Sequence, residues 1–177
     1  MRPGDATARE LAGLRAAVAQ AAKETPADPL PAARLAGRYY ELAVARGDPR
    51  YIGYADAVIA PFARSRAPEV LAIRGQLRQA RHDFDGALAD FAGALEADPQ
   101  FASAHAWRAA IFLVQANYAA ASKECDALLK LDRATLYGGC IGLLRAYSGQ
   151  MEAGYAALLR ALDETRDEGN RLWLLTR

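Results

Sequence analysis

Apolar residues recur at helical spacing in blocks of about 13 residues, and short polar breaks divide the blocks. Four breaks read RGDPR (46–50), RHD (81–83), QAN (115–117) and SGQ (148–150). Four others, RSRAP, EADPQ, KLDRA and DETRD, each combine a helix stop with a new start. Asp83 and Asn117 stand where the next helix needs a cap for its free amides. Pro68 and Pro99 can open a helix, because the first turn needs no amide donor. The pattern predicts helices over 7–23, 32–46, 50–63, 69–80, 84–96, 102–115, 118–131, 136–147, 151–163 and 167–176. For the first of these, Thr7 and Glu10 make a capping-box pattern ahead of the stripe Leu11, Leu14 and Val18.

The blocks repeat. Ala43 and Ala55, Gly75 and Ala87, Ala109 and Ala121, and Gly142 and Gly154 are four pairs of small residues. Each pair is separated by 12 residues, and the pairs advance by 32, 34 and 33. Nine residues after each first member comes a large apolar residue: Ile52, Phe84, Tyr118, Met151. Sixteen after it comes a residue of buried type: Ile59, Phe91, Cys125, Leu158. Two antiparallel helices can interlock closely only if a small residue sits on each at the crossing. A single hairpin cannot bury its own apolar face, so hairpins of this kind stack.

In this register the chain resembles the tetratricopeptide repeat family, whose unit is a 34-residue helix–turn–helix. Residues 68–101 carry the fullest pattern, with Gly75, Phe84, Ala87, Phe91, Ala94 and Pro99. Residues 102–134 match at Ala109, Tyr118 and Ala121 but have Arg133 in the proline position. Residues 135–167 match at Gly142, Met151, Gly154 and Ala161, and residues 36–67 more weakly at Ala43, Ala55 and Phe62. The resemblance implies an all-α fold, a right-handed superhelical stack of antiparallel hairpins. The domain is divided as a capping helix at 5–24, repeats at 32–67, 68–101, 102–134 and 135–166, and a final helix at 167–177. The apolar end RLWLLTR leads to the expectation that the natural chain continues beyond Arg177.

Composition narrows the classes of function. Of 177 residues, 53% are hydrophobic, which excludes a disordered chain. The net charge of +1 gives no electrostatic reason to expect nucleic acid or an anionic membrane. No run of 18 apolar residues could span a bilayer, and MRPGDATARE has no apolar signal core. That start suggests a cytoplasmic protein, unless a leader has been removed. Abundant Ala, and Arg almost to the exclusion of Lys, point to a GC-rich bacterial genome.

Candidate chemistry is sparse. His82 falls in a turn and His105 in a helix, and neither has a nucleophile or acid recurring at a useful spacing. Asp83 and Asp85 suit helix capping better than acid–base work. No phosphate loop is present, so no enzyme, metal or cofactor is expected. Arg74, Arg78 and Arg81 share one helix side and read either as an anionic docking edge or as stems paired with Asp85, Asp90 or Glu96. Cys125 and Cys140 are level in an antiparallel hairpin whose midpoint is KLDRA. They read as two free core thiols or as a disulfide, the second implying an oxidising compartment such as the periplasm.

The resemblance also implies a concave groove lined by the first helix of each hairpin. Its positions carry over to Tyr40, Val44, Ala72, Gln76, Gln79, Ala106, Trp107, Ala110, Leu143 and Tyr147. The Lys/Asn/Arg clamp with which some relatives hold an acidic peptide end is missing. The expected function is a non-enzymatic scaffold that presents an apolar groove to a peptide or helix of a protein partner, with Trp107 partly exposed. The alternative is an assembly domain whose terminal helices pair with a second copy or with the rest of a longer chain.

Overall fold

A computed structural model describes residues 3–24, 26–166, 171 and 174. Among the described residues the fold is all-helical, with nine α-helices. They are α1 (Pro3–Ala21), α2 (Leu30–Arg46), α3 (Arg50–Ile59), α4 (Pro68–Gln79), α5 (Phe84–Ala97), α6 (Ala102–Val114), α7 (Tyr118–Lys130), α8 (Ala134–Tyr147) and α9 (Met151–Glu164). A 3₁₀ turn, Ala60–Phe62, extends α3. Each helix packs on its neighbours in sequence, and α2, α4, α6 and α8 also touch in succession. The helix expected at 167–176 falls largely outside the described residues.

The stops and starts follow from local chemistry. Pro68 opens α4 behind an extended Ala67, as a residue before proline prefers. The Asp83 side chain accepts from Gly86 N at 3.0 Å and that of Asn117 from Ala120 N at 3.2 Å, capping α5 and α7. Inside each hairpin one residue takes the left-handed conformation: Gly47 (φ 62°), His82 (62°), Ala116 (57°) and Gly149 (92°). The residue after each donates its amide five residues back, as Asp83 does to Arg78 O (3.0 Å) and Asn117 to Phe112 O (2.8 Å). These left-handed positions advance by 35, 34 and 33 residues, so the turns repeat with the small pairs.

The connections between hairpins differ. At EADPQ, Asp98 is extended ahead of Pro99. At KLDRA, where Arg133 replaces the proline, Asp132 turns left-handed instead (φ 54°). A left-handed conformation costs a non-glycine residue roughly 1–2 kcal/mol. Ala116→Gly, in an exposed turn, is therefore expected to stabilise the protein by about 0.5–1 kcal/mol in urea unfolding.

The small pairs are all buried. At the α8–α9 crossing a Cβ on Gly154 would come within 2.6 Å of Gly142 O, so the two backbones approach too closely for any side chain there. At α4–α5 a Cβ on Gly75 would meet the Phe91 ring at 2.8 Å, the space that ring fills.

One expectation about the first helix is corrected. α1 begins at Pro3, so Thr7 is not its cap. Glu10 instead reaches across to Arg38, 2.9 Å away, and ties α1 to α2.

Candidate functional site

The residue sixteen after each small one faces the residue two before the next small one. At the first junction these are Ile59 and Ile73, both buried in one apolar cluster. At the second they are Phe91 and Trp107, with ring planes 6° apart and centroids 6.4 Å apart. At the third they are Cys125 and Cys140, joined as a disulfide with Cα atoms 5.6 Å apart. The same contact is thus aliphatic, aromatic and covalent in turn. Of the two readings of the cysteine pair, the structure contains the bonded one, with both residues buried.

This geometry corrects the expectation that Trp107 is partly exposed. Trp107 is only 8% exposed. It lies on Phe91 and meets Tyr40 edge-on, with centroids 5.7 Å apart and planes at 84°. Its position faces the second helix of the preceding hairpin rather than an open groove. Ala110 and Leu143 are buried as well. Tyr40, Gln76 and Gln79 are half-buried, and only Val44 and Tyr147 at its two ends are exposed.

A second repeating contact escaped the sequence reading. The residue before each small one pairs with the residue fifteen after it. In the outer hairpins these positions are apolar: Leu42 and Val58 belong to one hydrophobic cluster, and the last hairpin carries Ile141 and Ala157. In the two central hairpins they are ionic. Arg74 pairs with buried Asp90, and Arg78 reaches the same carboxylate at 2.8 Å. Arg108 Nε donates to Glu124 Oε1 at 2.8 Å, and His105 Nδ1 lies 2.6 Å from Oε2. Arg81 pairs with Asp56. The arginine row is therefore tied up within the fold and offers no anionic docking edge. The signal was present in the sequence as Arg and an acid sixteen apart, at 74/90 and again at 108/124.

Burial disfavours the ionised Glu124 carboxyl, but the His105 hydrogen bond and the charge and hydrogen bond of Arg108 outweigh it. The carboxyl is held below its ordinary value. A lowered folded-state value adds stability that is full above the unfolded value, about 4.3. That stability is lost as pH falls through the folded value. The stability gap between the parent and Glu124→Gln is expected to be large at pH 6 and to narrow toward pH 3. A gap independent of pH, measured by urea unfolding, contradicts this.

Beside these paired arginines, a further exposed surface of interest is apolar. Val114 (61% exposed), Tyr118 (38%), Tyr147 (55%), Met151 (66%) and Tyr155 (62%) lie at and beside the α6–α7 and α8–α9 turns. The two turns are neighbours, because Leu113 packs with Leu143 and Leu144 just behind them. The repeat pattern placed Tyr118 and Met151 among the large apolar positions, and the structure leaves both outside the core. No charged residue occurs from 114 to 120 or from 146 to 151. The earlier turns, RGDPR and RHDFD, are rich in charge.

Among the described residues no group of three or more His, Cys, Asp or Glu is arranged to hold a metal ion. None of the described helices is long and apolar enough to cross a membrane. Compared with known protein families and with characterised proteins, the chain matches no family model and no curated sequence.

Proposed function

We propose that the chain is a tetratricopeptide-like array acting as a non-enzymatic protein-interaction scaffold, and that it seats the apolar face of a partner's amphipathic helix. The observation that carries this reading is the exposed apolar edge of Val114, Tyr118, Tyr147, Met151 and Tyr155. At about 200 Å² for a large side chain, these five leave on the order of 500–600 Å² open. That is the upper end of what monomeric proteins expose, and patches of that size are often functional. The edge draws on two neighbouring hairpins, Val114 and Tyr118 on one and Tyr147, Met151 and Tyr155 on the other. Such a bed takes a helix by its apolar stripe. The reading keeps the partner class expected from the sequence and moves the contact from the groove to the edge, with Tyr147 common to both. A disulfide between Cys125 and Cys140 fits an oxidising compartment.

The same edge also favours a second reading. An apolar patch can cover a copy of itself across a two-fold axis, so the domain could assemble with a second chain. Solution mass by light scattering separates the two readings, together with binding of a labelled amphipathic Leu/Lys peptide. A monomer that binds the peptide, and loses at least about tenfold in affinity in Tyr147→Asp/Met151→Asp with melting unchanged, supports partner binding. A dimer that the same variant splits supports self-assembly. A monomer that binds the peptide no better than the variant does overturns both.

A further inference from the structure

The fourth hairpin lacks what the two before it contain. The carboxylate position held by Asp90 and Glu124 is Ala157 there, and the position of His105 is Gly138. The arginine that corresponds to Arg78 is nevertheless still present, as Arg145. Where Asp90 neutralises Arg78, a cleft of about 370 Å³ opens between α8 and α9. Its lining includes Gly138, Ile141, Ala157 and Ala161, with Tyr137 beside them. Arg145 from α8, Arg160 from α9 and Arg133 from the connection before α8 also line it. Among the described residues none of these three guanidinium groups has a hydrogen bond, an ion pair or an aromatic ring against it. Asp132 and Glu164 are in the lining too, and among the described residues neither forms an ion pair.

The geometry points to a binding site for a small organic carboxylate with an apolar stem, its anionic group meeting Arg145 where the preceding hairpins supply their own carboxylate. The planar guanidinium matches a carboxylate in two parallel hydrogen bonds. Arg160 and Arg133 add positive charge from two other chain segments. The volume is at the lower end of small-molecule sites, room for an acid of several carbons and not for a large ligand. Ile141, Ala157 and Ala161 give the stem an apolar floor, and Gly138 lets Ala161 pack against α8, since a Cβ on Gly138 would come within 2.9 Å of it. The inference rests on the cleft and the repeat register, independently of how the apolar edge is used.

Isothermal titration calorimetry with phenylacetate tests it, with 2-phenylethanol as the uncharged counterpart and inorganic phosphate as an anion without a stem. Saturable binding of phenylacetate is expected, with none of the alcohol. Arg145→Gln should weaken binding at least about tenfold, since a charge-assisted pair is lost. Ala157→Asp rebuilds the internal carboxylate and should abolish binding while raising the melting temperature. The proposal is overturned by any of three results: no saturable heat with phenylacetate, an Arg145→Gln protein that binds within about twofold of the parent, or phosphate binding as tightly as phenylacetate. An Ala157→Asp protein that melts lower and still binds overturns it too.

Discussion

Trp107→Ala is expected to destabilise the protein as severely as Phe91→Ala, each by about 3–5 kcal/mol. Phe91 is fully buried, with its ring in the space that Gly75 leaves open. Trp107 covers that ring from the next hairpin at 6.4 Å. Each substitution removes a large buried surface and opens a cavity at the same junction, where the hairpins above and below can collapse only partly. The two losses are therefore coupled. The double variant should fall short of the sum by roughly 0.5–1.5 kcal/mol, the range for an aromatic pair beyond its area burial. Urea unfolding of the two single variants and the double one measures all three quantities. If Trp107→Ala costs less than about 1 kcal/mol, within the range of a surface change, the junction is misassigned.

Reduction of the Cys125–Cys140 bond should cost about 3 kcal/mol, the chain-entropy figure for a loop of this size. The bond closes a separation of 15 residues. Both cysteines are buried, so a reductant reaches them only when the hairpin opens, and reduction of the native protein should be slow. Two measurements check this. Thiol titration of protein unfolded without reductant should find no free thiol. Unfolding free energies from urea curves with and without prior reduction should differ by the stated amount. Finding two free thiols means that the pair is not bonded in solution. The junction should then behave like a contact between two small buried residues.

Much of the helix pattern was legible because it is written in local chemistry. Asp83, Asn117, Pro68 and Pro99 act within three or four residues of where they stand, and the expected helix ends fall within a few residues of the observed ones. The pairs of small residues were legible for a different reason. A close crossing tolerates only Gly or Ala, and four such pairs in register leave a periodic trace. The start of α1 was misread because Thr7 and Glu10 have capping-box spacing. That spacing cannot show that the helix has already begun at Pro3 or that Glu10 is held by Arg38 from α2.

Trp107 was misplaced because a family groove position was carried over by number. The physical clue was its spacing of sixteen residues from Phe91, close to the fifteen that separate Cys125 from Cys140. Residues at that spacing meet across a junction and cannot both face an open groove. The apolar edge was not legible either. Tyr118 and Met151 occupy the same repeat position as Ile52 and Phe84, which are half-buried. Composition does not reveal which hairpin leaves that position uncovered.

The order of the junctions along the stack has a kinetic consequence. In a linear array, opening starts at the ends and advances one contact at a time. Amide exchange from the carboxyl-terminal side should therefore be fast in α9 and should meet a barrier at α8, where the chain is tied covalently to α7. Beyond that barrier lies the aromatic junction, whose amides should be the last to exchange. Reduction removes the barrier and leaves the aromatic junction as the first obstacle to opening from that side. Protection in α7 and α8 should then drop toward that of α9, while α4 and α5 keep theirs.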